Sequence, residues 1–209
     1  RPRGRPPTPP SGTPSDKDQV NFTDEDSRIM PVPGGGFDQA DNAQAAVDTD
    51  SLLVVAPALT QASNDKQQIV PMLEQLQALA PGLGRVKTLI ADAGYASEDN
   101  VNACVQAKIR PLIALGRETH HPALRQRFNE PRPLTGKPTP LEAMRHRLQT
   151  RRGRKLYALR KSTVEPVFGL IKRVMKFRQF SLRGVTAARG EWNLVCLAWN
   201  LKRMNALST

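Results

Sequence analysis

Cysteine and long apolar runs are scarce in this 209-residue chain, and an initiator methionine is absent. The two cysteines, Cys104 and Cys196, match no metal-ligand spacing, which argues against a zinc–thiolate site and favours a reducing, cytoplasmic compartment. No stretch approaches the ~18 apolar residues of a membrane span, and no charged-then-apolar leader opens the sequence. Because residue 1 is Arg, we expect either a processed chain or a fragment of a longer reading frame.

Acidic residues are scarce in the last third of the chain. Residues 145–209 hold sixteen Lys or Arg and only two acids, Glu165 and Glu191, so this segment carries a net charge of +14, whereas the rest sums to −2. A helical segment this basic favours a polyanionic partner, because each phosphate contact releases condensed counterions. The alternative is a solvated basic surface without a partner, although solvated faces usually mix the two signs.

Residues 1–20 are too rich in proline to pack a core. Six of the first fifteen residues are Pro, which imposes extended polyproline geometry and predicts a disordered Pro/Arg-rich linker. Residues 2–6 (PRGRP) also resemble the core of an AT-hook, whose extended Arg-Gly-Arg lies in a narrow minor groove. A tether and a DNA contact both remain open for this segment.

Strand and helix patterns alternate after the linker, which predicts an α/β layer architecture. The predicted elements are a hairpin (42–48 and 52–60), a helix capped by Asn64 (64–80), a strand (86–91), a helix (97–107), a strand (111–115), a loop insertion (116–139) and helices from the capping box at Thr139 to the end. Pro71 either kinks the first helix or marks its first turn. The last helix is apolar nearly all round, so we expect it to be buried, with Trp192 and Trp199 as core residues.

Two acids stand out for their chemistry. Asp92 follows an apolar strand, where functional groups collect in open α/β sheets, although Asp at a strand end is also a common turn former. Glu165 is predicted to open a helix among many cations, where it could also serve only as an ion-pair partner. Two carboxylates beside a basic surface suit divalent ions that act on a phosphodiester. A third, bridging carboxylate would be expected for two ions.

Five segments resemble the insertion-sequence branch of the DDE transposases: 21–30 (NFTDEDSRIM), 42–48 (NAQAAVD), 91–97 (ADAGYAS), 157–184 (YALRKSTVEPVFGLIKRVMKFRQFSLRG) and 190–204 (GEWNLVCLAWNLKRM). The resemblance identifies 21–207 as the C-terminal part of a DDE catalytic domain. It implies a ribonuclease H-like mixed sheet with flanking helices, incomplete at its N-terminal strand, and a helical C-terminus. It also implies two Mg²⁺ or Mn²⁺ ions, DNA (element ends and target) as partner, a homo-oligomer in the active complex, no membrane, and a bacterial, nucleoid-associated location.

The resemblance carries over to individual residues. Asp92 matches the family's second catalytic, metal-binding acid, and Glu165 matches its closing Glu. Tyr157, Arg160, Glu165 and Lys172 fit the family's Y-R-E-K signature, but the Arg-to-Glu gap holds four residues where three are expected, so Lys161 could substitute for Arg160. The candidate DNA-binding residues are therefore Tyr157, Arg160, Lys161, Lys172, Arg173 and Lys176.

The family's first acid, usually in an Asp-Gly-Thr context, has no counterpart here. The acids at hand stand where the family has loop or second-strand residues; they are Asp24, Asp26, Asp38, Asp41, Asp48 and Asp50. We therefore expect DNA cleavage and strand transfer as the ancestral activity, in a truncated copy that lacks one catalytic Asp. The alternatives are a catalytically inert DNA-binding remnant or regulator, and an unrelated basic nucleic-acid-binding α/β protein.

Overall fold

The computed structural model describes residues 21–31, 35–116 and 129–208. The predicted linker at 1–20, with its AT-hook-like segment, and residues 117–128 of the predicted loop insertion lie outside this set. The strands are β1 (Arg28–Pro31), β2 (Phe37–Ala40), β3 (Asn42–Val47), β4 (Val54–Thr60), β5 (Thr88–Ala91) and β6 (Arg110–Ile113). The helices are α1 (Ile69–Leu83), α2 (Glu98–Gln106), α3 (Pro140–Gln149), α4 (Arg151–Ala158), α5 (Arg160–Arg173) and α6 (Val185–Ser208).

The strands pair two by two. β1 with β2 and β3 with β4 form antiparallel hairpins, whereas β5 and β6 are parallel and are connected by α2. The hairpin at 42–60 and the mixed α/β composition were both predicted correctly. Within the described residues these pairs remain three separate sheets, so a single ribonuclease H-like sheet stays a prediction.

Helix starts follow the predicted capping chemistry. Asn64 Oδ1 accepts the backbone N–H of Lys66 at 3.2 Å and opens a 3-10 turn, Asp65–Gln67, before α1 begins at Ile69. Pro71 therefore lies in the first turn of α1, where its missing N–H leaves no helical bond unmade. Thr139 and Glu142 form the expected capping box. The described part of the loop insertion, residue 116 and residues 129–139, contains neither helix nor strand.

Helix α6 packs on the β3–β4 hairpin through its two tryptophans. Trp192 and Trp199 are 2% and 4% exposed, and their indole Nε1 atoms donate to the carbonyls of Gln44 at 3.0 Å and Leu52 at 2.9 Å. Both are core residues, as predicted. The expected burial of the whole helix is wrong, because the hairpin covers only one of its faces. The opposite face leaves large apolar side chains exposed, namely Leu194, Leu197, Leu201, Met204 and Leu207.

No helix in the described part of the chain combines the length and apolar character that crossing a membrane requires.

Candidate metal and nucleic-acid site

Asp92 lies directly after β5, at the carboxyl end of a parallel strand, as the sequence predicted. Its Oδ1 accepts the backbone N–H of Gly94 at 2.8 Å and caps a short 3-10 turn, Ala93–Tyr95. Asp92 is therefore a turn former as well as a candidate ligand. The bond orients the carboxylate toward the turn and leaves Oδ2 for another partner.

A second carboxylate meets Asp92 at this turn. A Cβ built on Gly94 would lie 3.0 Å from Asp65 Oδ2 and 3.0 Å from Asp92 Oδ1, so the two oxygens are separated by no more than the sum of these distances. A side chain at position 94 would crowd both carboxylates. The absence of a side chain at Gly94 leaves room for both carboxylates. We call this arrangement of Asp65, Asp92 and Gly94 the Gly94 cradle; Asp65 precedes α1 and Asp92 follows β5.

Strand β3 fixes the orientation of Asp65. Asn42 Nδ2 and Gln44 Nε2 donate to Asp65 Oδ1 at 2.8 and 2.7 Å. The Tyr95 hydroxyl donates to Gln44 Oε1 in turn. Burial, together with the charges of Asp65 and Asp92, raises the pKa of Tyr95 far above its usual range, so this hydroxyl keeps its proton and remains a donor. The network occupies Oδ1 and turns Oδ2 toward Gly94.

Sequence reasoning missed Asp65. The only local signal was an acid immediately after the Asn64 cap, which is an ordinary preference for the start of a helix. Asp65 lies close to Asp92 because it is held by hydrogen bonds from Asn42 and Gln44, more than twenty positions earlier in the chain.

Glu165 does not open a helix, contrary to the prediction. It lies in the second turn of α5, because Leu159 alone separates α4 from α5 and the new helix already begins at Arg160. Pro166 is accommodated inside α5 with the loss of one helical N–H. Glu165 is an ion-pair partner of Arg160, with Arg160 Nη1 to Glu165 Oε1 at 3.1 Å, and its side chain is 54% exposed.

A chain of contacts connects Glu165 with the β5–β6 pair. Tyr157 on α4 is 7% exposed and packs in a cluster with Leu112, against which Ile90 of β5 also packs. The guanidinium of Arg160 lies 5.9 Å from the centroid of the Tyr157 ring and binds Glu165. Tyr157 and Arg160 thus hold α5 beside the strand that ends at Asp92. No hydrogen bond or ion pair of the described residues joins Asp92 to Glu165.

Three of the acids considered as replacements for the missing first Asp, namely Asp24, Asp26 and Asp48, have structural roles. Asp24 Oδ2 and Asp26 Oδ2 accept the N–H groups of Gly184 and Val185 at 3.1 and 3.0 Å, and so cap the N-terminus of α6. Asp48 Oδ2 accepts from the backbone N–H and hydroxyl of Ser51 in the β3–β4 turn, which lowers its pKa.

Asp41 differs from Asp24, Asp26 and Asp48, because one of its carboxylate oxygens is buried and unpaired in the described part of the chain. Its Oδ1 is inaccessible to solvent and has no hydrogen-bond partner among the described residues. Burial, with the charges of Asp24 and Asp26, raises the pKa of this carboxyl above its ordinary value. It lines the same cavity as Asp65.

The donor set fits a divalent cation only in part. Asp65 Oδ2 and Asp92 offer carboxylate oxygens, the ligands that Mg²⁺ and Mn²⁺ prefer. Among residues 21–31, 35–116 and 129–208, however, no group of three or more Asp, Glu, His or Cys side chains is placed to hold a metal. The described carboxylates therefore do not complete a two-ion site.

Four of the five predicted DNA-binding cations are exposed on and after α5, whereas Arg160 is half-buried and paired with Glu165. Lys161, Lys172, Arg173 and Lys176 all reach solvent, whereas Tyr157 is buried. Lys172 lines a cavity of about 650 Å³ that Asp65 also lines, so a predicted phosphate contact and one acid of the Gly94 cradle face the same cavity. The cavity wall includes Phe168, which stacks on Trp192 at a centroid distance of 5.6 Å, together with the cations Arg178 and Arg183.

A strand-end carboxylate beside a strongly basic helical surface is typical of metal-dependent enzymes that act on nucleic acids. Residues 21–201 match the family model described as the transposase DDE domain. No curated protein and no solved structure matches the chain. The chain belongs to the DDE transposase family. Members of this family carry out DNA transposition and generally use divalent metal ions, so DNA is the partner that the family implies.

Proposed function

We propose that this chain derives from an insertion-sequence transposase whose reaction is phosphodiester cleavage and strand transfer at the element's ends. The observation that carries the proposal is Asp92, which stands at the end of a parallel strand. It shares the Gly94 cradle with Asp65, and Asp65 lines the same cavity as Lys172. A ribonuclease H-like sheet, two ions and an oligomeric active complex belong to this proposal.

Asp92 and Glu165 are the proposed metal-binding carboxylates, with Asp65 as an additional oxygen donor beside Asp92. A bound divalent ion would activate the attacking oxygen and stabilise the leaving one. The chain's own contribution is orientation: Gly94 fixes one oxygen of Asp92, while Asn42 and Gln44 fix one oxygen of Asp65. Glu165 would exchange its Arg160 partner for the ion.

The phosphates flanking the cut are assigned to Lys161, Lys172, Arg173 and Lys176. Lys172 follows Glu165 by two helical turns on α5, so the two side chains lie on the same face of that helix. Tyr157 and Arg160 serve this surface indirectly, because the buried ring supports the guanidinium that holds Glu165.

Binding of Mn²⁺ tests the metal assignment without requiring turnover. The chain is expected to bind Mn²⁺ weakly, and Asp92→Asn should lower the affinity about tenfold or more, because the amide loses the charged oxygen that faces the cradle. Asp50→Asn, which removes an equal charge from an exposed turn, is the matched control. Electron paramagnetic resonance of free Mn²⁺ measures both, and equal affinities for the two variants would contradict the assignment.

The 209-residue chain by itself is expected neither to nick nor to join DNA, because its described residues do not supply three carboxylates to one site. This expectation also covers the second candidate function, an inert DNA-binding remnant or regulator, which the Glu165–Arg160 ion pair favours. A nicking and strand-transfer assay in Mn²⁺, on a duplex carrying the element's ends, tests this shared expectation. Metal-dependent activity that vanishes in both Asp92→Ala and Glu165→Ala would show a complete site and refute the expectation.

A further inference from the structure

A groove far from the Asp92 turn collects positive charge in a part of the chain that is otherwise slightly acidic. It has a volume of about 940 Å³ and lies between the C-terminal ends of α1 and α2. Four exposed cations line it, and they are Arg85, Lys87, Lys108 and Arg110. None of the described residues that line the groove is acidic, and its floor is apolar, with Leu76, Val86 and Ile109.

The backbone holds these cations together. Arg110 N donates to Lys87 O at 3.0 Å, so the chain just before β5 is fixed beside the first residue of β6. Outside the groove lining, Arg147 lies next to β6, where its Nη1 donates to Pro111 O at 3.2 Å. Burial and the neighbouring charge of Arg110 lower the pKa of Arg147.

Lys108 occupies a conformation that does not suit it. Its φ is +59°, in the left-handed region that glycine adopts with least strain at the C-terminal end of a helix. At position 108, Gly would therefore be less strained than Lys. Local strain at a polar surface position points to a use other than stability.

We propose that this groove binds backbone phosphates of duplex DNA, as a second DNA contact separate from the surface around Asp92 and α5. Four clustered cations without an acid among the lining residues match a phosphate chain, and the apolar floor suits the deoxyribose rings between phosphates. Because β5 rises about 3.3 Å per residue, Lys87 and Asp92 stand roughly 17 Å apart, at opposite ends of the strand. The inference rests on the proposed function only in taking DNA as the partner.

The slope of DNA affinity against salt tests the groove. Lys87→Gln/Arg110→Gln removes two groove charges, and Arg132→Gln/Lys137→Gln removes the same two residue types from the exposed, irregular segment 129–139. Each lost phosphate contact should flatten the log–log slope by about 0.9 and weaken binding about eightfold at 0.1 M salt. The groove variant should therefore lose two contacts relative to the control, as measured by fluorescence anisotropy with a labelled duplex.

Lys108→Gly separates binding from folding. The substitution relieves the left-handed strain and removes one charge, so the thermal midpoint should stay or rise while the slope flattens by about one contact. If the double variant fails to fold, this single variant decides the question, because a slope equal to that of the wild type overturns the proposal.

The remaining outcomes are equally distinct. Wild-type binding with unchanged slopes in both groove variants contradicts only the groove, whereas a wild-type chain that does not bind DNA contradicts the proposed function. A third outcome is that the groove variants bind poly-glutamate more weakly than the wild type does but bind DNA equally well. This result would identify an acidic peptide as the ligand and overturn the proposal.

Discussion

Raising the salt concentration from 50 to 200 mM is expected to weaken DNA binding by this chain by about 10⁴-fold. Twelve of the sixteen cations in residues 145–209 are exposed, and only two acids offset them. If about eight of these cations contact phosphates, the log–log slope is about −7, since each contact contributes about −0.9 on duplex DNA. This dependence follows from counterion release and needs no particular base sequence.

A salt-titrated mobility shift or anisotropy assay measures this slope. The competing view, a solvated basic surface without a partner, predicts weak binding that hardly changes over the same range. Replacing Arg173 and Lys176 by Gln should flatten the slope by about two contacts, whereas the Arg132→Gln/Lys137→Gln control should leave it in place. An affinity indifferent to salt would falsify the assignment of the C-terminal third to DNA.

Trp192→Ala is expected to lower the free energy of unfolding by about 3–5 kcal/mol, which is a large part of the stability of an ordinary domain. The ring is 2% exposed and stacks on Phe168, and its loss leaves a cavity between α5, α6 and the β3–β4 hairpin. The carbonyl of Gln44 also loses the indole donor. Because Gln44 orients Asp65, the Gly94 cradle should loosen as well.

Urea denaturation measures this loss, and two variants calibrate it. Trp192→Phe keeps most of the ring volume but removes the hydrogen bond, so it should cost about 1 kcal/mol. Leu194→Ala, on the exposed face of the same helix, should change stability by no more than about 0.5 kcal/mol. A Trp192→Ala variant as stable as Leu194→Ala would mean that α6 does not pack on the hairpin.

Features set by neighbouring residues were predictable from the sequence. The hairpin at 42–60, the Asn64 and Thr139 caps, and Asp92 at a strand end all follow from turn formers, side-chain acceptors and apolar runs within a few positions. The transposase family was likewise recognisable, because its motifs are short local segments.

Features that depend on distant contacts were not predictable. Asp65 becomes a candidate metal ligand only because hydrogen bonds from Asn42 and Gln44 hold it at the Gly94 cradle. The exposure of Leu194 was missed because helical periodicity shows which positions are apolar but not how many faces find a partner. Glu165 was misplaced because the break between α4 and α5 is a single residue without Gly or Pro.

The contacts of α6 join residues that are far apart in the sequence, which affects folding during synthesis. Asp24 and Asp26 accept hydrogen bonds from residues 160 and 159 positions later, and the Gln44 carbonyl accepts one from Trp192 across 148 positions. At a synthesis rate of roughly 5–20 residues per second, about 7–30 s pass between synthesis of the β3–β4 hairpin and completion of α6, the helix that packs on it. Its apolar side is exposed to other nascent chains throughout that interval, so the yield of folded protein should depend on chaperones that shield this early hairpin.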